Sequence, residues 1–429
     1  MTTTLWAATV LVCLLMYVVL DGYDLGIGVA TLFERDPVHR RHMLESVAVG
    51  WDGNETWLIL LGVALWAGFP LAFGTILPHA YLPMIVVLFS LIVRGVSVEM
   101  ASQAPPAPRW TTAFSVASLL AAFGQGFALG TLTSAVHVRG NVYTGSAFGA
   151  FSWFCVLSGL TVTAAYTALG YAYTKHKSSG RLRESAARRG AAATAVGGVL
   201  LVVLLFTVDA TAAPLDLDSP GRAFAFAGLL LFAAGGGATS LVTFPARRQF
   251  RAADSLPLGG LVIATVSVFL ALAVARYPVL VPPGLSVDSA AGPHATMVFI
   301  LVGIGLNMPL VLAYNVFAHR AFAGKFHTEL PGDEPPAAHG PLVTGATLMT
   351  TRDPGHAASL PAPLRVVLRL LAAVVWTVLG LLAYFVCQGM FGGYRQIHSQ
   401  LLTTLGMIAI ALTGGIAWIV DERRPHDDA

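Results

Sequence analysis

Four carboxylic acids lie inside or beside apolar stretches of the sequence, where charged side chains are unexpected. Asp21 and Asp24 interrupt the first apolar run, and Asp52 and Glu55 stand at the beginning of the second. Each pair is spaced by three residues, which places both members on one face of a helix. An ionisable residue in a membrane span costs roughly 2.5 to 3.5 kcal/mol, so these acids are the first candidates for function. A partly buried carboxylic acid can exchange its proton near neutral pH, and carboxylates can also bind a cation, so both kinds of chemistry are open to these four residues.

The second pair belongs to the heptapeptide WDGNETW, which runs from Trp51 to Trp57. Asp52 is placed to cap a helix with Glu55 at its third position, and the two tryptophans fit an interfacial aromatic belt. This structural interpretation stays open beside the proton role, because acids are also favourable at a helix N-terminus.

Arg94 lies near the end of the third apolar run, five residues before Glu99. We expect the two side chains to form an ion pair within one helix or to reach the membrane surface. A second interpretation makes Arg94 the partner of the buried acids, which would then be structural.

These polar residues are set in a very apolar chain. Of its 429 residues, 56% are hydrophobic and 11% charged, against about 25% charged in soluble proteins. The net charge of +3 excludes a nucleic-acid footprint. Windows of about 20 apolar residues predict an all-α polytopic membrane protein. The predicted spans are 5–32, 54–75, 80–99, 112–135, 147–172, 191–212, 222–243, 258–276, 294–318, 364–388 and 401–420.

Close packing of some spans is predicted from their glycines. Gly22 and Gly26 would let a neighbouring backbone approach the first acidic pair, and Gly126/Gly130 and Gly145/Gly149 have G-x-x-x-G spacing.

Positive charge in the short loops predicts the orientation. The basic residues that fall on one side, if each span crosses once, are Arg35, Arg40, Arg41, Lys175, Lys177, Arg181, Arg183, Arg188, Arg189, Arg247, Arg248 and Arg251. We therefore expect the N-terminus outside and the C-terminus inside the membrane. No removable signal peptide is expected, because no basic residue precedes the first run.

The chain divides into four predicted parts. Residues 1–325 form a membrane domain and 326–363 a cytoplasmic linker rich in Pro, Ala and Gly, followed by a transmembrane hairpin at 364–420 and a tail at 421–429. The histidines of the linker lack the spacing of metal ligands, so no metal site is expected.

Several motifs together resemble subunit II of the cytochrome bd-type quinol oxidases. They are residues 20–28, the heptapeptide 51–57, Phe69-Pro70-Leu71-Ala72, Arg94-Gly95, Tyr277-Pro278, Pro282-Pro283, Pro309 and Tyr314-Asn315. The resemblance covers about residues 1–325 and stops at the linker. It implies nine core helices, arranged as two four-helix bundles and a peripheral helix, so the C-terminal two-helix extension departs from the family.

The resemblance also implies a component of an enzyme that oxidises quinol and reduces dioxygen to water. Haem b and haem d are expected on the partner, subunit I, and no cofactor on this chain; a small accessory subunit and membrane lipid are further expected partners. Asp24 and Asp52 are carried over as members of an inside-facing proton route, with Glu55 a weaker candidate. Structural or interface roles are expected for Asp21, Trp51, Asn54, Trp57, Arg94 and Glu99.

The residue inventory agrees with a haem-free chain. Haem needs an axial ligand deep in a bundle, whereas His79, His137, His294 and His398 lie near predicted membrane ends.

Two alternatives to an oxidase subunit stay open. One is a secondary transporter whose acids bind a coupling ion, and the other is a purely structural paralogue of another membrane enzyme.

Overall fold

Long apolar runs form long helices in the computed structural model, which describes residues 2–103, 108–134, 138–139, 142–143, 151–211, 215–245, 251–282, 284–321 and 324–325. The helices are α1 (Thr2–Leu32), α2 (Pro37–Ala48), α3 (Trp51–Gly68), α4 (Pro70–His79), α5 (Tyr81–Gln103), α6 (Pro108–Thr133), α7 (Trp153–Lys177), α8 (Gly180–Thr211), α9 (Pro220–Thr243), α10 (Arg251–Arg276), α11 (Val287–Ala290) and α12 (His294–Ala321). Two antiparallel hairpins pair β1 (Val138–Arg139) with β2 (Val142–Tyr143) and β3 (Val279–Val281) with β4 (Leu285–Ser286).

Within the described residues, eight helices are long and apolar enough to cross a membrane: α1, α5, α6, α7, α8, α9, α10 and α12. Each coincides with a predicted span, so the all-α polytopic class is confirmed. The predicted linker, C-terminal hairpin and tail lie outside the described residues, as does the Gly145/Gly149 pair.

The predicted second span, 54–75, is not one helix. It is divided into α3 and α4 at Phe69, whose φ of −132° and ψ of 63° are not helical. The cause is Pro70, which lacks an N–H and disfavours helical geometry at the residue before it. Pro70 then occupies the first turn of α4, where its missing donor costs nothing.

The helices pack as two bundles. In the first, α1 packs against α3 and α6, and α5 packs against α6; in the second, α7 packs against α8 and α10, and α9 against α10. The α1–α7 and α6–α7 contacts join the two, and α12 packs on α3 at the periphery. At the α6–α7 contact, Gly126 and Gly130 lie against the α7 backbone, as predicted.

The described segments that carry the predicted basic residues lie together at one end of the molecule. Arg189 Nη1 donates to Glu34 at 2.8 Å, which joins the start of α8 to the end of α1, and Lys175 Nζ donates to the Thr243 carbonyl at 2.7 Å. At the opposite end, Trp6 Nε1 donates to the Met297 carbonyl at 3.0 Å. Helices α1 and α12 are therefore parallel and end beside the basic loops.

Candidate functional site

The approach of α1 to α7 fixes the position of the first acidic pair. A Cβ added at Gly26 would lie 1.7 Å from the carbonyl oxygen of Tyr166, and one at Gly170 would lie 2.2 Å from the Gly26 carbonyl carbon. Only glycine permits backbones to meet at such a crossing, as the sequence predicted. The crossing also stacks Tyr23 of α1 on Tyr173 of α7, with ring centroids 4.4 Å apart.

Arg94 of α5 holds two carboxylates that belong to other helices. Its Nη1 donates to Asp21 Oδ1 at 2.6 Å, and its Nη2 donates to Glu55 Oε2 at 3.3 Å. The side chains of Arg94 and Asp21 are fully buried, whereas that of Glu55 is 23% exposed. The ring of Trp51 lies under the guanidinium, whose Cζ is 5.7 Å from the ring centroid.

The expectation that Arg94 pairs with Glu99 or reaches the surface is therefore wrong. Glu99 is exposed and Arg94 is buried, because residues five apart do not share a helix face. The alternative partnership of Arg94 with the acids is confirmed for Asp21 and Glu55.

Asn54 joins the second member of the first pair to a tyrosine. Its Nδ2 donates to Asp24 Oδ2 and to Tyr23 Oη, both at 2.8 Å, and all three residues are buried. Tyr23 Oη lies 2.9 Å from Nε2 of His319, near the end of α12. Gly53 lets α12 approach, since a Cβ there would lie 2.6 Å from Cε1 of Tyr314.

Asp52 does not cap α3. The helix begins at Trp51 after Gly50, which makes no side-chain cap bond, and the exposed Asp52 accepts a hydrogen bond from the Gly53 backbone N–H at 2.8 Å. Its charge is favourable in the first turn. The aromatic-belt interpretation is also wrong for Trp57, which is fully buried in the core.

We refer to Asp21, Asp24, Glu55 and Arg94 as the acid cluster. It contains three carboxylates and one guanidinium, and the exposed Asp52 lies one turn from Glu55. Within the described part of the chain, four buried polar atoms at or beside this cluster have no hydrogen-bond partner: Asp21 Oδ2, Arg94 Nε, Asn54 Oδ1 and Trp57 Nε1. Buried groups of this kind are usually satisfied by ordered water. The acid cluster therefore combines an excess of carboxylates with buried polar atoms that ordered water would satisfy.

A second buried group of charges, the basic cluster, consists of Lys175, Arg183, Asp254 and Lys325. Asp254 is fully buried and accepts from Arg183 Nε at 2.9 Å and Nη2 at 2.7 Å; Lys325 also pairs with it, and Lys175 Nζ lies 3.9 Å away. Two of these cations, Lys175 and Arg183, entered the sequence-based prediction only through the orientation, and Asp254 was not among the candidate residues. Its position at the start of an apolar helix was the available signal.

Sequence reasoning also missed the polar residues around the acids. Tyr23 and His319 were not considered, nor was Gln125, which donates to Tyr17 Oη at 2.6 Å and accepts from Tyr166 Oη at 3.2 Å. Each is a polar residue inside or at the end of an apolar run, but none is a carboxylic acid, so the signal that had identified the acids was absent.

Metal-ligand geometry gives no further candidate. The described residues contain no group of three or more His, Cys, Asp or Glu side chains that could hold a metal ion. His79 is buried at the end of α4, with Nε2 3.2 Å from the Thr131 carbonyl oxygen, so it is not the interfacial residue expected.

Fold and site together define a polytopic helical membrane protein that buries an excess of carboxylic acids near its basic end. Residues 2–322 match the family described as cytochrome bd terminal oxidase subunit II, and the chain belongs to this family. The resemblance found in the sequence motifs is confirmed. It favours an oxidase component over the transporter alternative.

Individual relatives agree. The chain is 27% identical over 363 residues to cytochrome bd-I ubiquinol oxidase subunit 2 of Escherichia coli strain K12, an alignment that covers 76% of this chain and 95% of the relative. It is 28% identical over 207 residues to cytochrome bd ubiquinol oxidase subunit 2 of Bacillus subtilis strain 168, covering 47% and 61%. The solved bd oxidase structure from Geobacillus thermodenitrificans shares the fold, with a TM-score of 0.60, 13% identity, and coverage of 75% of this chain and 98% of that one.

Proposed function

We propose that this chain is the haem-free subunit of a bd-type quinol oxidase and that it helps to deliver cytoplasmic protons to dioxygen reduction on its partner. Haem b and haem d would be held by subunit I, and quinol would be oxidised there. The observation that carries the proton role is the charge of the acid cluster, which has three carboxylates and a single buried cation.

Charge balance determines what such a cluster can do. Arg94 bonds Asp21 and Glu55 but not Asp24, whose described partner is the neutral amide of Asn54. A buried carboxylate without a cation is costly as an anion, so it takes up a proton instead. Asp24 is therefore the member suited to hold and release a proton, with Glu55 and the exposed Asp52 closer to water.

Haem-free status is supported by the side chains available as axial ligands. Nε2 of the buried His79 is engaged by a backbone carbonyl, and the buried Met43 and Met297 pack within hydrophobic clusters. These residues do not fit haem ligation, so no step of the reaction is assigned to a haem on this chain.

The proposed orientation places the basic end, with the acid cluster near it, at the cytoplasm. Support comes from the joining of the basic loops at one end of the molecule and from the preference of Lys and Arg for the cytoplasmic side.

The proposed division into domains follows the family match, which ends at residue 322. Residues 326–363 are then a linker, and residues 364–420 are an added hairpin.

The test is Asp24→Asn in the assembled complex, because Asn preserves size and can still accept from Asn54 but cannot carry the proton. We expect the haem spectrum to be retained and quinol-dependent oxygen consumption to fall by about ten-fold or more. Asp24→Glu should retain most activity. Asp288→Asn, an exposed acid at the opposite end, is the matched control and should have no effect. Full turnover of assembled Asp24→Asn would contradict the proton role.

A further inference from the structure

His319 connects the exposed basic end of the protein to the buried acid Asp24. It lies near the end of α12 and is exposed, yet its Nε2 is 2.9 Å from Oη of the buried Tyr23. Asn54 binds both Tyr23 Oη and Asp24 Oδ2 through one amide nitrogen. The described contacts of Asp24 therefore lead outward to a histidine.

The hydrogen-bond partners determine how the imidazole is oriented. His319 Nδ1 lies 2.8 Å from the Asn315 carbonyl oxygen, which can only accept, so Nδ1 carries a hydrogen. In the neutral ring Nε2 is then the acceptor, and the Tyr23 hydroxyl donates to it. Nε2 is the nitrogen that carries no hydrogen in the neutral ring. A proton gained by His319 is therefore held at the atom that contacts Tyr23.

The remaining gap, from Tyr23 to Asp24, is short. Both oxygens accept from the same nitrogen at 2.8 Å, so they can be no further apart than twice that distance. A gap of this length can be closed by one water molecule, and in the described residues Oδ1 of the same Asn54 side chain is a buried acceptor without a hydrogen-bond partner. The amide itself positions the two oxygens and does not relay the proton.

We propose that His319 is the proton-loading residue of the route and that the Tyr23 hydroxyl passes the proton on toward Asp24, an assignment that rests on the proposed function above. The imidazolium N–H at Nε2 donates to Tyr23 Oη, while the hydroxyl hydrogen leaves on the other side, through the bridging water, to Asp24. The hydroxyl hydrogen turns toward the bridging water when Nε2 is protonated, and after the transfer the hydrogen received from Nε2 points at the imidazole again, as it did at the start. No net charge is left on the tyrosine.

The surroundings hold this arrangement in place. Tyr23 is stacked on Tyr173, with an interplanar angle of 5°, and Lys177 lies over the Tyr173 ring at 5.8 Å from its centroid. The ammonium of Lys177 is the charged group of α7 that faces Tyr23 and His319. By contrast, the carboxylate of Asp52 bonds to its own helix backbone, so the relay contacts do not pass through it.

The test compares four variants in the assembled complex. His319→Gln removes the titratable ring, and Tyr23→Phe removes the hydroxyl while keeping the stacked ring. We expect both to retain the haem spectrum and to lower oxygen consumption by about ten-fold. In His319→Ala, added imidazole should restore turnover. His294→Gln, an exposed histidine at the first turn of the same helix, is the matched control and should be unchanged.

The outcomes separate this inference from the proposed function. Full turnover in His319→Gln and Tyr23→Phe, with turnover lost in Asp24→Asn, would overturn the relay and leave the proton role of Asp24 intact. Full turnover in Asp24→Asn as well would overturn both. Loss of the haem spectrum in the histidine variants, or loss of turnover that imidazole does not restore, would assign His319 a structural role and contradict the relay.

Discussion

The acid cluster and the basic cluster are both buried groups of charges near the same end of the molecule, but their compositions are opposite. The acid cluster sets three carboxylates against Arg94, and two of its buried polar atoms, Asp21 Oδ2 and Arg94 Nε, lack a partner in the described part of the chain. The basic cluster sets Arg183, Lys175 and Lys325 against one carboxylate, Asp254, and both oxygens of that carboxylate are bonded.

Under the proposed function, the difference separates a site that exchanges protons from one that joins helices. A guanidinium stays charged in proteins, so Asp254 keeps a charged partner, Arg183, over the whole physiological range. In the acid cluster the single guanidinium bonds Asp21 and Glu55 and leaves the buried Asp24 without a bonded cation, which is a costly arrangement for an anion. Burial of charge alone therefore does not identify function; the sign of the excess and the unsatisfied atoms do.

The largest effect is expected from removing the one cation of the acid cluster. Arg94→Leu leaves Asp21 and Glu55 without a partner in a buried site, a loss that typically costs about 3 to 5 kcal/mol. We expect the complex not to assemble, seen as loss of the haem spectrum in purified membranes. Arg94→Lys should be intermediate, because an ammonium cannot hold two carboxylates with the geometry of a guanidinium.

The control for this change is Arg109→Leu, which removes an exposed arginine at the start of α6 and should assemble normally. A wild-type yield of complex from Arg94→Leu would show that the acids are neutral without their cation and would contradict the pairing assigned to Arg94.

A smaller effect of a different kind is expected at the basic cluster. Asp254→Asn keeps one acceptor for Arg183 but removes the charge that offsets three cations, which should destabilise the protein by roughly 2 kcal/mol. We expect faster thermal loss of the haem spectrum in detergent, with turnover per haem unchanged. Asp216→Asn, in an exposed ion pair with Arg222, should change neither quantity measurably. A fall in turnover per haem in Asp254→Asn would remove the distinction between the clusters.

Apolar windows were sufficient for eight of the predicted spans because helix formation in lipid depends on local apolar character. The glycine alone was sufficient for the approach at Gly26, where only the absence of a side chain matters. The break at Phe69 was missed although Pro70 was visible, since hydropathy windows do not register a lost backbone donor. The predicted N-cap at Asp52 failed for a related reason: a cap depends on the backbone geometry of one residue.

The partners within the site could not be read from the sequence. Arg94 and Asp21 are 73 residues apart, and Tyr23 and His319 are 296 residues apart. Such pairings depend on which helices become neighbours, which hydropathy does not specify. The acids were found because an ionisable residue in an apolar run is unusual on its own, whereas Tyr23 and His319 acquire meaning only from their contact.

The smallest effects are expected from the two acids of α3, and they refine how protons reach the acid cluster. Sequence reasoning ranked Asp52 above Glu55, but the contacts favour the reverse order. Glu55 is 23% exposed and bonds Arg94, so it touches both water and the cluster. Asp52 is exposed and bonds only its own helix in the described contacts.

We therefore expect Glu55→Gln to lower oxygen consumption by about three-fold, a change of ~0.6 kcal/mol in the barrier. Asp52→Asn should lower it by less than about two-fold, since Asn keeps the bond to the Gly53 N–H and surface water can replace the acid. Both complexes should keep their haem spectra. A loss of most turnover in Asp52→Asn, with Glu55→Gln unaffected, would restore the order predicted from sequence. It would place proton uptake at the start of α3 instead of at the end of α12.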